Sequence, residues 1–105
     1  MTETYDITLP VLVAVSQLPN ACFYRVNCGA FRTMDVKRVV QSVSVEGVAD
    51  IMGTYRGFSI ALETKTRTGK QLKTQRIFQK NHERAGGIYI IARSEDEAVC
   101  ALLAL

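Results

Sequence analysis

Apolar residues recur at helical spacing near the N-terminus, where Ile7, Val11, Leu12 and Val15 share one stripe. Pro10 has no amide hydrogen to give and is tolerated only near a helix start, so the helix is expected to begin near Thr8 or to carry a kinked first turn. Pro19 and Asn20 end it. Cys22 to Asn27 reads as a short strand, followed by a loop with Gly29 and a Val-rich stretch from Val36 to Val45 whose pattern favours no single element. Two strand-like runs come next, from Gly47 to Tyr55 and from Phe58 to Lys65, joined by Arg56-Gly57. A two-residue link with a glycine predicts a tight antiparallel hairpin. Phe58, Ile60 and Leu62 alternate with Ser59, Ala61, Glu63 and Lys65, so one face of this run is apolar and the other carries the charges.

A polar link from Arg67 to Lys70 leads into a helix from about Leu72 to Arg84, closed by Gly86-Gly87. Ile88 to Ala92 is short and apolar enough for a buried strand. Ser94 and Glu97 have the spacing of a capping box, and Ala98, Val99, Ala101, Leu102 and Leu105 give the last helix an apolar side. The predicted order is α-β-β-β-α-β-α, an α/β chain. Its 105 residues suit one domain, 1–105, burying roughly 65% of its unfolded surface. With 48% hydrophobic and 22% charged residues, the composition excludes a disordered chain, collagen and coiled coil.

Charge changes this picture through its distribution. The net charge is only +3, but Lys65, Arg67, Lys70, Lys73, Arg76, Lys80 and Arg84 are more than half of the thirteen basic residues and crowd into one fifth of the chain. Such a strip is either a solvated helix face or a surface for a polyanion. Cys22, Cys28 and Cys100 are odd in number and lack the close pairing of a zinc site, so buried or half-buried thiols in a reducing compartment are expected. No secretory signal pattern opens the chain and no run reaches the roughly 18 apolar residues of a membrane span, which predicts a cytoplasmic protein with no membrane partner.

The hairpin carries the candidate chemistry. If it turns at Arg56-Gly57 without a bulge, Tyr55 faces Phe58, and counting outward sets Asp50 across from Glu63. Two like charges about 5 Å apart repel unless something compensates them, and a divalent cation does so. Lys65 projects from the same face as Glu63. Mg²⁺ takes hard oxygen ligands and keeps several waters, so two carboxylates and a backbone carbonyl, for which Thr64 is the candidate, suffice. A lysine beside them orients a water or stabilises negative charge developing on a phosphate. On geometry alone a second reading stays open, in which Asp50 and Glu63 are exposed strand residues and Lys65 forms a surface ion pair worth about 0–1 kcal/mol.

The run Gly47-Val48-Ala49-Asp50-Ile51-Met52-Gly53, followed by Ile60-Ala61-Leu62-Glu63-Thr64-Lys65, resembles the PD-(D/E)xK nuclease signature, and specifically the virus-type replication-repair nuclease (VRR-NUC) domain. Tyr24 to Ala30 is similar to that family's Arg-x-Asn-x-Gly segment, Gln75 falls where its post-catalytic helix carries a glutamine, and Ala85-Gly86-Gly87 precedes its late strand. The likeness spans about residues 5 to 100. It implies a restriction-endonuclease-like core, a mixed sheet flanked by helices, and a DNA endonuclease dependent on Mg²⁺ or Mn²⁺. Asp50 and Glu63 would bind the ion with the Thr64 carbonyl, Lys65 would assist the attacking water, and Gln75 would support the site. Stand-alone members resemble junction-resolving homodimers, so branched or four-way DNA is the expected substrate.

Two positions depart from the family pattern. Ala49 stands where a proline is usual, which removes no ligand, and Thr4 stands where the first helix usually offers a glutamate. Glu3 and Asp6 flank it and are the candidates to complete the metal site. Arg25, Arg67, Lys70, Lys73 and Arg76 are the expected DNA contacts, made to phosphates and so independent of sequence. His82 is expected to be a surface or hydrogen-bonded residue rather than a catalyst. A non-catalytic DNA-binding or scaffold subunit, and a nuclease that depends on a helicase partner, are the alternative readings.

Overall fold

The computed structural model describes residues 4–26 and 46–105. Glu3, Asn27, Cys28, Gly29, Ala30 and the stretch 36–45 lie outside the described residues. A π-helical turn, Thr4–Thr8, runs into helix α1 (Leu9–Ser16), with Pro10 in its first turn, where a missing amide hydrogen costs nothing. Strand β1 (Ala21–Arg25) follows, then β2 (Ile51–Tyr55), β3 (Phe58–Thr64), helix α2 (Lys73–Arg84), strand β4 (Ile88–Ala92) and helix α3 (Glu95–Leu103). Among the described residues the α and β elements follow one another in the expected order.

The four strands form one mixed sheet in the order β1-β2-β3-β4. β1 with β2 and β2 with β3 are antiparallel, while β3 and β4 are parallel, as the α2 crossover between them requires. The hairpin register is the one the two-residue link dictates, with Tyr55 opposite Phe58 and Ile51 opposite Leu62. Arg56 and Gly57 both take positive φ, 51° and 89°, the pattern of the primed turn that matches strand twist.

The strands are shorter than the sequence suggests. β2 starts at Ile51 rather than Gly47, because Gly47 turns the chain at φ 77° and on the β3 side the carboxylate of Asp50, not its backbone, meets the amide of Thr64. The last helix also differs in detail. Glu97 N–H does donate to the Ser94 hydroxyl, but the Glu97 carboxylate accepts from Arg93 N–H, so the box closes one residue early. Leu105 lies beyond α3 and is exposed rather than on its apolar side, and Cys22 and Cys100 are exposed rather than buried.

Pleating divides the sheet into two chemically distinct faces. Ile51, Tyr55, Ile60, Leu62, Ile90 and Ala92 pack with Val11 and Val15 of α1 and Ala98 and Leu102 of α3 to form the hydrophobic core. Each buried Ile or Leu there contributes about 1.5–3 kcal/mol. The other face holds Ala61, Glu63, Lys65, Tyr89 and Ile91, and α2 lies over its β4 side with no fully buried residue of its own. On this face Gln75 of α2 meets the charged residues, while Phe78 lies against Tyr89 with ring centres 6.2 Å apart. No helix among the described residues is long and apolar enough to cross a membrane.

Candidate active site

The ends of β2 and β3 converge on one acidic pair. Val26 N–H donates to the Asp50 carbonyl at 2.8 Å, which fixes the main chain of Asp50 beside the end of β1. Its side-chain Oδ2 accepts from Thr64 N–H at 3.0 Å and from the Thr64 hydroxyl at 2.8 Å. The Thr64 hydroxyl also lies 2.6 Å from that of Thr8. Because the Thr64 proton goes to the carboxylate, Thr8 is the donor in this second bond, and a Thr8-to-Thr64-to-Asp50 chain links the start of α1 to the acid.

Glu63 is almost completely buried, at 1% exposure, which removes the reading of it as an exposed strand residue. Its Oε2 accepts from Gln75 Nε2 at 2.9 Å and lies 3.5 Å from Lys65 Nζ. Its Oε1 is buried and has no hydrogen-bond partner among the described residues. Burial pushes the Glu63 carboxyl up to about 8, the charge of Asp50 pushes the same way, and the Lys65 ammonium pulls against both. Lys65 is itself only 7% exposed, so it belongs to this buried cluster rather than to the basic strip.

Gln75 reaches Glu63 because of how α2 begins. The Gln75 carbonyl oxygen Oε1 accepts from Leu72 N–H at 2.8 Å, satisfying an amide at the helix start, and its amide nitrogen is thereby turned to the carboxylate. Gly47 sets the height of the helix over the sheet. A Cβ at Gly47 would stand 2.2 Å from the Thr74 carbonyl oxygen and 2.9 Å from Gln75 N, so only glycine permits this approach.

The donor set suits a hard divalent cation: two carboxylates, one with a buried oxygen lacking a partner, and the main chain of Thr64 held against Asp50. Asp6 does not join them. It is exposed and lines a separate cleft with Ile7, Pro10, Val11, Arg93, Ser94 and Glu95, and among the described residues no three His, Cys, Asp or Glu gather at metal-binding distance. The expected third carboxylate is thus not supplied by Asp6, while Glu3 lies outside the described residues.

The basic residues divide. Arg67, Lys70, Lys73 and Arg76 are exposed, and Lys73, Arg76 and Lys80 line a shallow groove with Ile77 on the outer face of α2. Arg25 pairs with Ile51, so the pleat assigns it to the face of α1 rather than to that of Glu63. His82 serves packing: its ring stacks on Phe78 at 5.7 Å and sits against Gly87, where a Cβ would come within 2.2 Å of it.

Sequence reasoning missed Tyr89 and Gln71. Gln71 Nε2 donates to Gln79 Oε1 at 2.8 Å and to the Tyr89 hydroxyl at 3.3 Å, tying the loop before α2 to β4. Burial raises the Tyr89 hydroxyl to about 12, and Glu63 and Asp50 add to the shift. The only signal for Tyr89 was its alternation with Ile88 and Ile90, which has no meaning until β4 is paired to β3. The architecture is mixed α/β, a four-stranded mixed sheet flanked by helices. Compared with known protein families, curated proteins and solved structures, the chain finds no match.

Proposed function

We propose that this protein is a deoxyribonuclease dependent on Mg²⁺ or Mn²⁺, with a PD-(D/E)xK site of the VRR-NUC kind. The observation that carries the reading is Glu63: a buried carboxylate beside Asp50, one oxygen held by Gln75 and Lys65 and the other without a partner among the described residues. A fold retains so costly an arrangement where something else is bound there. Asp50, Glu63 and the Thr64 carbonyl would hold the ion. When bound, a divalent cation polarises a phosphodiester and makes a water more acidic.

The remaining work falls to the chain itself. Gln75 fixes the Glu63 carboxylate in one orientation, and the Thr64 N–H and hydroxyl do the same for Asp50. Lys65 offers an ammonium in a water-poor setting, where it orients a nucleophilic water or stabilises charge on the phosphate. Arg67, Lys70, Lys73 and Arg76 bind phosphates without reading bases, a contact that weakens steeply with salt. Arg25, on the other face, would meet DNA only from a different side. A domain this small presents a short DNA surface, so a homodimer acting on branched or four-way DNA extends it. A helicase that delivers substrate is compatible with the same site.

The absence of a third acid among the described residues favours one second reading, a DNA-binding or scaffold subunit with a degenerate site. Labelled linear, flap and four-way DNA incubated with Mg²⁺, Mn²⁺ or chelator separates the two. The nuclease reading requires cleavage by the wild type with metal and binding without cleavage by Glu63→Ala. Binding with no cleavage of any substrate by the wild type would replace it with the scaffold reading.

A further inference from the structure

We propose that Arg93 is a positioning residue for DNA binding, latching the loop 66–70 so that Arg67 and Lys70 are held in a fixed arrangement directly after Lys65 of the site. This inference rests on the reading of that face as a DNA surface. Arg93 directly follows β4 and, because β3 and β4 are adjacent and parallel with Thr64 beside Ala92, it sits next to the loop that joins Lys65 to α2. Its Nη1 donates to the carbonyls of Thr66 at 2.6 Å and Gly69 at 2.7 Å, with that of Arg67 at 3.5 Å. The main chain of Arg93 is itself fixed, since its N–H donates to Glu97 of α3 at 2.8 Å.

Three carbonyls turned toward one cation dictate what the loop shows to solvent. The loop closes on itself through Gly69 N–H to the Thr66 carbonyl at 3.1 Å, while Arg67, Thr68 and Lys70 are exposed. Gly69 allows the closure, because a Cβ there would lie 2.8 Å from the Thr66 hydroxyl and 3.6 Å from the Lys65 side chain. The latched loop therefore packs on the stem of Lys65 at one end and leads into the helix of Gln75 at the other. Without the guanidinium the carbonyls lose a shared charged donor and the loop opens to hydrate them. Arg67 and Lys70 then pay an ordering cost each time DNA binds.

The test measures binding of a fluorescein-labelled four-way junction and a linear duplex in EDTA, from about 50 to about 200 mM salt. The proteins are the wild type, Arg93→Ala, Arg93→Lys, Arg67→Ala/Lys70→Ala and the triple variant. Arg93→Ala is expected to weaken binding about 5- to 20-fold and to lower the salt slope by about one to two, with Arg93→Lys between it and the wild type. In the Arg67→Ala/Lys70→Ala background the same change should cost under about two-fold, because the groups it positions are gone. A folded Arg93→Ala protein with unchanged affinity and slope overturns the latch, as does an equal loss in both backgrounds. If circular dichroism shows Arg93→Ala unfolded, the affinity and slope of Arg93→Lys decide by the same criteria. A wild type that binds neither DNA removes the DNA reading along with the latch, whereas a wild type that binds while Arg93 proves inert removes the latch alone.

Discussion

The side-chain amide of Gln75 donates to Oε2 of Glu63 at 2.9 Å while its carbonyl caps the backbone at Leu72. One residue thus joins the start of a helix to a buried acid on the neighbouring sheet. Gln75→Ala removes both bonds, leaving Glu63 oriented only by its ion pair with Lys65 and the Leu72 amide to water. Residues that orient a metal ligand without touching the metal typically change affinity or activity about 10- to 100-fold. We expect that loss in Mn²⁺ affinity by calorimetry and in cleavage rate, with a stability cost near 1 kcal/mol from the lost cap. Unchanged Mn²⁺ uptake and cleavage would show that Glu63 is oriented by other means.

The acidity of Glu63 makes stability depend on pH in an unusual direction. Its carboxyl titrates near 8 in the fold, chiefly because it is buried, against 4.5 for an ordinary glutamate. Between those values the folded chain keeps a proton that the unfolded chain has released. Stability of the metal-free protein should therefore be highest at and below about pH 4.5 as far as this group is concerned, fall as the pH rises toward about 8, and level off above it. A divalent cation competes with that proton, so Mg²⁺ should raise the melting temperature more at about pH 8.5 than at about pH 6 and should release protons on binding. Calorimetric melting in EDTA across this range checks the first statement, and Glu63→Gln should flatten the dependence. A melting temperature that climbs between about pH 5 and about pH 8 in EDTA, with Glu63→Gln unchanged, would contradict the assignment.

Thr64 ties the first helix to the site. Thr64→Val keeps the shape of the side chain but removes the hydroxyl that donates to Asp50 and accepts from Thr8. Thr8 is 3% exposed and would be left without this partner, a loss of about 1–3 kcal/mol. Asp50 would keep only the Thr64 amide of the pair that now holds its Oδ2. Urea unfolding measures the first effect, and weaker Mg²⁺ stabilisation in the same assay measures the second. Thr8→Val should cost less Mg²⁺ stabilisation than Thr64→Val, because it leaves both bonds to Asp50 in place.

How much of this was legible in the sequence follows from the range of each interaction. The two-residue link Arg56-Gly57 admits one pairing, so the juxtaposition of Asp50 and Glu63 could be counted outward from it. Glu63 and Lys65 share a face by simple alternation. Their burial could not be counted, because it comes from α2 and β4, which reach them through a crossover. Gly47 looked like a strand residue for the same reason: the helix backbone it admits lies 27 residues further along the chain, at Thr74. Gly86-Gly87 reads as one helix stop, yet only Gly86 takes positive φ, and Gly87 answers to the His82 ring instead. The capping pattern at Ser94 was readable, but not that Glu97 would serve Arg93.

Gly47 and Gly57 provide a matched pair for testing how the helix positions the site. Both take positive φ, 77° and 89°, so alanine at either should cost about 1–2 kcal/mol from left-handed strain. A Cβ at Gly57 meets nothing within 4 Å, whereas at Gly47 it strikes the backbone of Thr74 and Gln75, which no rotamer change relieves. Overpacking adds about 1–3 kcal/mol, so Gly47→Ala should be destabilised by about 2–5 kcal/mol in urea unfolding and Gly57→Ala by only the 1–2 kcal/mol of strain. The displaced first turn of α2 also carries Gln75 away from Glu63. Cleavage by Gly47→Ala should therefore fall about ten-fold or more under conditions where the protein is fully folded, while Gly57→Ala keeps the wild-type rate. Equal rates in the two variants would mean that the helix start and the acid are not mechanically linked.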